Sequence, residues 1–294
     1  MRIVVILVAA VLMTACESEP SGPPVVVYAT AESGSDLDKL FAEFTAETGI
    51  RVSVIRGDSA SNTDNLINNA DKPADVLITT NVADIWRAAE AGALRPIRAA
   101  EFADVERTLK DPDGFWAAIE IRQHAIANAK GDLRPIVGDF DTLASPDLRG
   151  KLCLSTSELS INRSLIAMLI NDRGEKPTER LLRSWIQNLA APPFASQEAL
   201  LAALRDGRCD YGIVEWHPDN NDMTFFVPEP SYMDIDGIGV ARHARQPESA
   251  QRLVGWLLKR KNIRVSGAPE KQPVGVAGWR DEDARLLAER AGYH

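Results

Sequence analysis

The sequence predicts an α/β protein built as two doubly wound lobes, and three observations carry that expectation. The chain opens strand, helix, strand. The same alternation begins again after a Gly- and Pro-containing loop at 131–139. Its 294 residues are also more than one hydrophobic core usually serves. Charged residues at 26% and hydrophobic ones at 45% fit a soluble globular body.

The elements follow in order. Residues 1–15 carry a basic start at Arg2, an apolar run Ile3–Met13 and a small-residue exit Thr14-Ala15, the layout of a secretory signal. The run is too short for a permanent bilayer span, which takes about 20 apolar residues. Leu12-Met13-Thr14-Ala15-Cys16 looks like the lipobox of bacterial lipoproteins, which implies a lipidated Cys16 and a membrane anchor; an ordinary signal followed by a chance cysteine is the alternative. Residues 16–24, with Ser, Gly and Pro and no apolar pattern, read as a lipidated tether. Loss of the signal removes the charge of Arg2 and takes the net charge from -9 to -10. A nucleic-acid partner is therefore not expected, because neutralising phosphates calls for a basic stripe.

Val25–Tyr28 is a continuous apolar strand. After a polar loop, Leu37, Leu40, Phe41 and Phe44 fall at i, i+3, i+4 and i+7, one buried helix face, which Asp36 can cap and Gly49 can end. Ile50–Ile55 and Ala74–Ile78 are further strands, and Val82–Ala91 before Gly92 is a helix. Trp116–Ala129 is an apolar run containing Arg122. Beyond the 131–139 loop come a strand at 151–154, helices near 162–171, 178–189 and 197–206, a strand at 211–214, a strand at 235–240 and a helix at 248–259. Ligands of doubly wound sheets bind at the carboxyl ends of the strands, so the loops 29–35, 79–81, 155–160 and 215–219 are the places for a site.

With Cys16 set aside, Cys153 and Cys209 remain, an even number in a compartment that permits oxidation; a disulfide and two buried thiols are both compatible with the spacing. No nucleophile elbow, HExxH pair or phosphate loop occurs, and only four histidines, so an enzyme on this fold is disfavoured.

Several short stretches, in order and spacing, resemble the periplasmic ferric-iron-binding family of ABC transporter solute receptors over nearly all of the chain after the tether. They are Val26-Val27-Tyr28, Phe44–Gly49 as "F-x-x-x-T-G", Pro73-Ala74-Asp75-Val76, Gly150-Lys151-Leu152-Cys153 with Asn162 and Ser164-Leu165, Gly207-Arg208-Cys209-Asp210, the helix from Pro247, and Gln272-Pro273-Val274. The resemblance implies a type II periplasmic binding fold: two lobes joined by a hinge of crossover strands, with a ligand cleft between them. It places lobe 1 at 25–121 with 235–266 returning to it, and lobe 2 at 122–234 with 267–294 packed on it. It also implies a Cys153–Cys209 disulfide, an ABC permease partner, a monomer, and an envelope location on the periplasmic side.

The ligand positions depart from the family. Its adjacent iron-binding tyrosines fall at His217 and Pro218, a third tyrosine falls at Ile161, a carboxylate at Thr80 and the first-loop histidine at Glu32. Ferric iron suits hard phenolate and carboxylate oxygens, so the reason for iron weakens. The candidate ligand set is Thr30, Glu32, Ser33, Thr79, Thr80, Arg122, Ser157, Glu215 and His217, with Glu32 and His217 as candidates for a bound metal ion. Arg122, a charge in an apolar run, either binds an anion or pairs with a carboxylate. A divalent metal and a small anionic or organic solute both remain open as ligand, as does a role as a ligand-sensing or delivery subunit.

Overall fold

Val25–Thr30 forms β1, an apolar strand, and Val52–Gly57 forms β2 parallel to it at the sheet edge, with alternate residues turned to solvent. A computed structural model describes residues 22–30, 34–68, 74–128, 139–216, 223–261, 263 and 273–294. Between the two strands lies α1 (Gly34–Thr48), whose Leu37, Phe41 and Phe44 are buried. The helix ends at Gly49, whose φ of +70° is the left-handed conformation that a helix end favours in glycine.

The next helix, α2 (Ser59–Asn68), was invisible to apolar periodicity because its buried face is Ser59, Asn62 and Thr63. Asn62 Nδ2 donates to Ala29 O at 3.0 Å, so polar bonding docks this helix. There follow β3 (Val76–Thr79), α3 (Val82–Glu90) and the short β4 (Leu94–Arg95). The apolar run around Arg122 is one 13-residue strand, β5 (Trp116–Asn128).

The second unit contains β6 (Leu152–Cys153), α4 (Ser160–Arg173), α5 (Glu175–Gln187), α6 (Gln197–Arg205), β7 (Tyr211–Trp216) and β8 (Thr224–Phe226). The chain then forms β9 (Met233–Ala241), α7 (Pro247–Lys261), α8 (Gly275–Trp279) and α9 (Asp281–Ala291). Predicted elements recur within a few residues; the strand expected at 151–154 is only two residues long and the one at 235–240 starts earlier.

The strands run in the order β2-β1-β3-β9-β5-β7-β6, with β4 beside β9 and β8 beside β5. Two antiparallel crossover strands, β5 and β9, join the halves. The carboxyl half of β9 pairs with β3, while its amino half pairs only with β5; the far end of β5 pairs with β7. The β5–β9 register shifts between Ala118 and Glu120, so an irregularity sits where the halves meet. This is the two-lobed α/β architecture expected from the sequence.

One core, with Val27, Phe44, Val76, Ile238 and Leu253, lies between the first half-sheet and the helices α1 and α7. Another runs from Leu77, Val82 and Ile85 through Val274 and Ala277 to Leu165, Ile166 and Leu287, and so spans both halves. Its bridge is α8, packed on α3 and α4. Gly278 allows that approach, since a Cβ there would lie 2.5 Å from Trp86 Cβ. Helix α9 covers α4 and α5. Among the described residues no helix is long and apolar enough to cross a membrane.

Candidate functional site

The crossover strands carry charge where they leave the first half-sheet. From β5, Arg122 is only 14% exposed and lies among three carboxylates: Glu215 Oε2 at 3.4 Å, Asp236 Oδ1 at 3.3 Å and Asp234 Oδ2 at 4.0 Å. Its Nη2 also donates to the backbone oxygens of Thr80 and, at 3.4 Å, Ile235. Glu120 is part of the same cluster and pairs with Lys261 of α7 at 3.3 Å. Burial works against the Arg122 charge, but Asp234, Asp236 and Glu215 outweigh it and raise its pKa. Burial also pushes Asp236 up to about 7, against the opposing pull of Arg122, and raises Asp234. Arg122 thus takes the carboxylate-paired alternative in this structure.

Asp234 has a second task. Its Oδ1 accepts from Val82 N at 2.9 Å and Ile235 N at 2.8 Å, and Asn81 Oδ1 accepts from Asp84 N at 2.8 Å. Two of the first three N–H groups of α3, those of Val82 and Asp84, which a bound anion would need, are thus answered by these side chains.

On the other wall, β7 brings in Glu215. Gln197, at the start of α6, holds its backbone from both sides: Glu215 N donates to Gln197 Oε1 at 2.7 Å and Gln197 Nε2 donates to Glu215 O at 3.3 Å. Opposite Glu215 on β5 is His124, fully buried, its ring nitrogens 3.0 Å from Tyr232 O and 2.6 Å from Ile161 O. Burial lowers the His124 pKa, although the two carbonyls pull the other way.

The structure thus brings Thr80, Arg122 and Glu215 together. The other described candidates bond to backbone or accept from a side chain within the fold. Thr79 Oγ1 donates to Asn81 O at 2.9 Å, and Ser157 Oγ donates to Tyr293 O at 2.8 Å. Thr30 is buried at the end of β1, with its carbonyl accepting from Arg56 Nη1 at 2.7 Å. Glu32, Ser33, His217 and Cys16 lie outside the described residues. Sequence reasoning missed Asp234, Asp236, Glu120 and His124; the signal was present as acids in the apolar strand 233–241, complementary to the lone arginine of 116–128.

The four tyrosines of the chain are all buried. Tyr28 is inside β1, with its pKa raised by burial. Tyr211 is in β7. Tyr232 donates to Asp172 Oδ2 at 3.0 Å, and burial above all pushes it to about 12, despite the lowering effect of Arg173. Tyr293 donates to Ser155 O at 2.6 Å and is raised by burial. Ile161, where a further phenol would stand, is also buried. Among the described residues no cluster of three His, Cys, Asp or Glu side chains has the geometry for a metal ion.

Cys153 and Cys209 form the disulfide, with Cα atoms 5.9 Å apart, fixing the β6 end to the start of β7.

The family model described as "Bacterial extracellular solute-binding protein" matches residues 25–265. The chain is 26% identical over 283 aligned residues to iron uptake protein A1 of Synechocystis sp., covering 86% of this chain and 78% of that protein. It is 23% identical over 239 residues to the Fe(3+)-binding periplasmic protein of Serratia marcescens, covering 76% and 70%. Among solved structures it is similar to a Trichodesmium protein (IdiA, FutA) in complex with iron and citrate ligands, with a TM-score of 0.83 and 23% identity over 92% of this chain and 100% of the other. It is also similar to the ferric binding protein from Campylobacter jejuni, with a TM-score of 0.80 and 16% identity over 92% and 100%. At such identities the structural matches speak to the fold alone.

Proposed function

From the premise that the chain belongs to the bacterial extracellular solute-binding proteins, on their ferric-iron-binding side, and serves an ABC importer, we propose that it captures a chelated solute between its lobes without protein phenolates. One observation carries this reading: every tyrosine is buried in a strand or a hydrogen bond, and burial raises the pKa of three of them, away from the phenolate form. Bare ferric iron needs hard anionic oxygens that the protein itself would have to supply. A ligand that brings its own oxygens, such as iron already held by a small polycarboxylate, needs from the protein only hydrogen bonds and charge at the cleft. Thr80 and Glu215 line that cleft in this reading; Glu32, Ser33 and His217, the further candidates from the sequence, lie outside the described residues. A citrate-bearing relative of the same fold supports testing that chelate first.

In the same reading lobe 1 comprises 25–121 with 235–266, lobe 2 comprises 122–234 with 267–294, and the floor of the cleft is the Arg122 cluster. The monomeric protein is held to the membrane by a lipid on Cys16, faces the periplasm and hands its ligand to an ABC permease. The reading is supported by the signal-like start and by the periplasmic relatives.

The test is a titration of metal-stripped mature protein with ferric citrate, citrate alone and ferric chloride. Binding of ferric citrate without a visible phenolate-to-iron charge-transfer band is expected. A coloured one-to-one complex with ferric iron would sink the phenolate-free reading, and failure to bind ferric citrate would remove this chelate as the ligand. For the anchor, Cys16→Ser should move the protein from the membrane to the soluble envelope fraction.

A further inference from the structure

An arginine that serves only to neutralise one buried acid usually docks both arms of its fork on that carboxylate, because the planar guanidinium matches a carboxylate edge. Arg122 does not. Its Nη1 reaches Glu215 on β7, and its Nη2 reaches the Thr80 carbonyl in the loop between β3 and α3, with Asp236 at 3.3 Å. Its Nε, and Asp234 Oδ2 4.0 Å from the guanidinium, are buried without a hydrogen-bond partner among the described residues. The fork is divided between two walls instead of being closed on one.

The partners belong to opposite sides of the β5–β9 junction. Thr80 follows β3, the neighbour of the carboxyl half of β9, and Glu215 stands in β7, the neighbour of the far half of β5. Arg122 itself sits just past the register shift at Ala118/Glu120. Asp234 also contacts both sides, lying on the part of β9 that pairs only with β5 while accepting from Val82 N at the start of α3.

We propose that Arg122 is an interlobe positioning residue: it ties the Thr80 backbone of one lobe to the Glu215 carboxylate of the other and thereby sets how far the cleft opens. The proposal rests on the two-lobed capture reading above. It assigns this arginine to the protein's own walls and not to a ligand anion. The carboxylates of Asp234 and Asp236 hold the guanidinium at the junction, and the Glu120–Lys261 pair connects the same cluster to the end of α7. Cutting the tie leaves the core shared under α8 in place but removes a polar link across the joint. The ligand-competent separation then becomes a minority state, which weakens apparent affinity by the fraction lost.

The experiment is small-angle scattering of the ligand-free mature chain, paired with a ferric citrate titration, for wild type, R122Q, R122K and the charge-balanced R122Q/D236N. R122Q is expected to shift the scattering to a larger radius of gyration and to weaken ferric citrate binding by about tenfold. R122K keeps the charge but has no fork to divide, so it should fall nearer R122Q than wild type. The charge-balanced variant keeps the fold if R122Q alone does not, and should scatter like an opened protein. Wild-type scattering from it, or from R122K, would show that Arg122 is only a counter-charge and would overturn the proposal. If wild type does not bind ferric citrate, that ligand fails while the scattering comparison still decides the tie.

Discussion

The two half-sheets are closed by different means. Under α1 and α7 the first half is filled by large side chains, Phe41, Phe44, Ile78, Ile238, Leu253 and Leu257, with the Phe44 ring edge-on to Trp256 at 5.7 Å. Under α6 the second half sets small residues, Ala125, Ala127, Ala203 and Gly212, among Leu200, Leu204, Val214 and the cystine, in a smaller cluster than the first. Gly212 is needed there, since a Cβ would stand 2.9 Å from Leu200 Cδ2 and 3.4 Å from Cys153 O. Small residues allow a helix to approach a strand closely but bury little apolar area, so a covalent link contributes what packing does not. The lesson is that one face of a sheet can be closed at one end by volume and at the other by a smaller cluster with a cross-link added.

That contrast is open to measurement, and the largest effect belongs to the cross-link. Cys153 and Cys209 are 56 residues apart. Replacing both by Ser, or adding reductant, should lower urea stability by about 4 kcal/mol, with loss of signal from the second half first. A change under 1 kcal/mol would mean that the smaller cluster is self-sufficient.

Next comes packing: Leu253→Ala, at a fully buried site, should cost about 3 kcal/mol, whether or not reductant is present. An added sensitivity to reductant in that variant would erase the distinction between the halves.

Between the two lies the charged junction, where pH is the probe. Asp236 titrates near 7 in the folded protein against 3.8 as its ordinary value, so the folded state keeps a proton that the unfolded chain has released. Its contribution is full below about pH 4 and is lost as pH rises to 7. Asp236→Asn should remove that decline, so that its stability relative to wild type rises by about 2 kcal/mol between pH 5 and pH 8. Parallel pH profiles for the two proteins would count against a raised Asp236.

The smallest effect is expected at the surface. Lys39, paired with Asp36 at 3.5 Å and well exposed, should change stability by less than about 0.5 kcal/mol on replacement by Ala. A larger loss would mean that surface charge, and not volume, closes the first half.

Much of this was legible in the chain. Apolar strands followed by periodic helices gave β1, α1, β3, α3 and α7, because burying one face of a helix or both faces of a strand writes a period into the sequence. The departure of the ligand positions at Ile161, His217 and Pro218 was also visible in order and spacing. Helix α2 was not, since polar side chains bury its face through hydrogen bonds that carry no period.

What only the tertiary structure decided is the meaning of the charges. The sequence set Arg122 in an apolar run and left open whether it meets an anion or an acid. Glu215 stands 93 residues away and Asp236 still further along the chain, and only the pairing of β5 with β7 and β9 brings them to 3.4 and 3.3 Å. The same holds for the tyrosines. Their number was plain in the sequence, but whether a phenol faces a cleft or a core depends on neighbours from distant strands, because burial and hydrogen bonding are properties of the assembled sheet and not of the local chain.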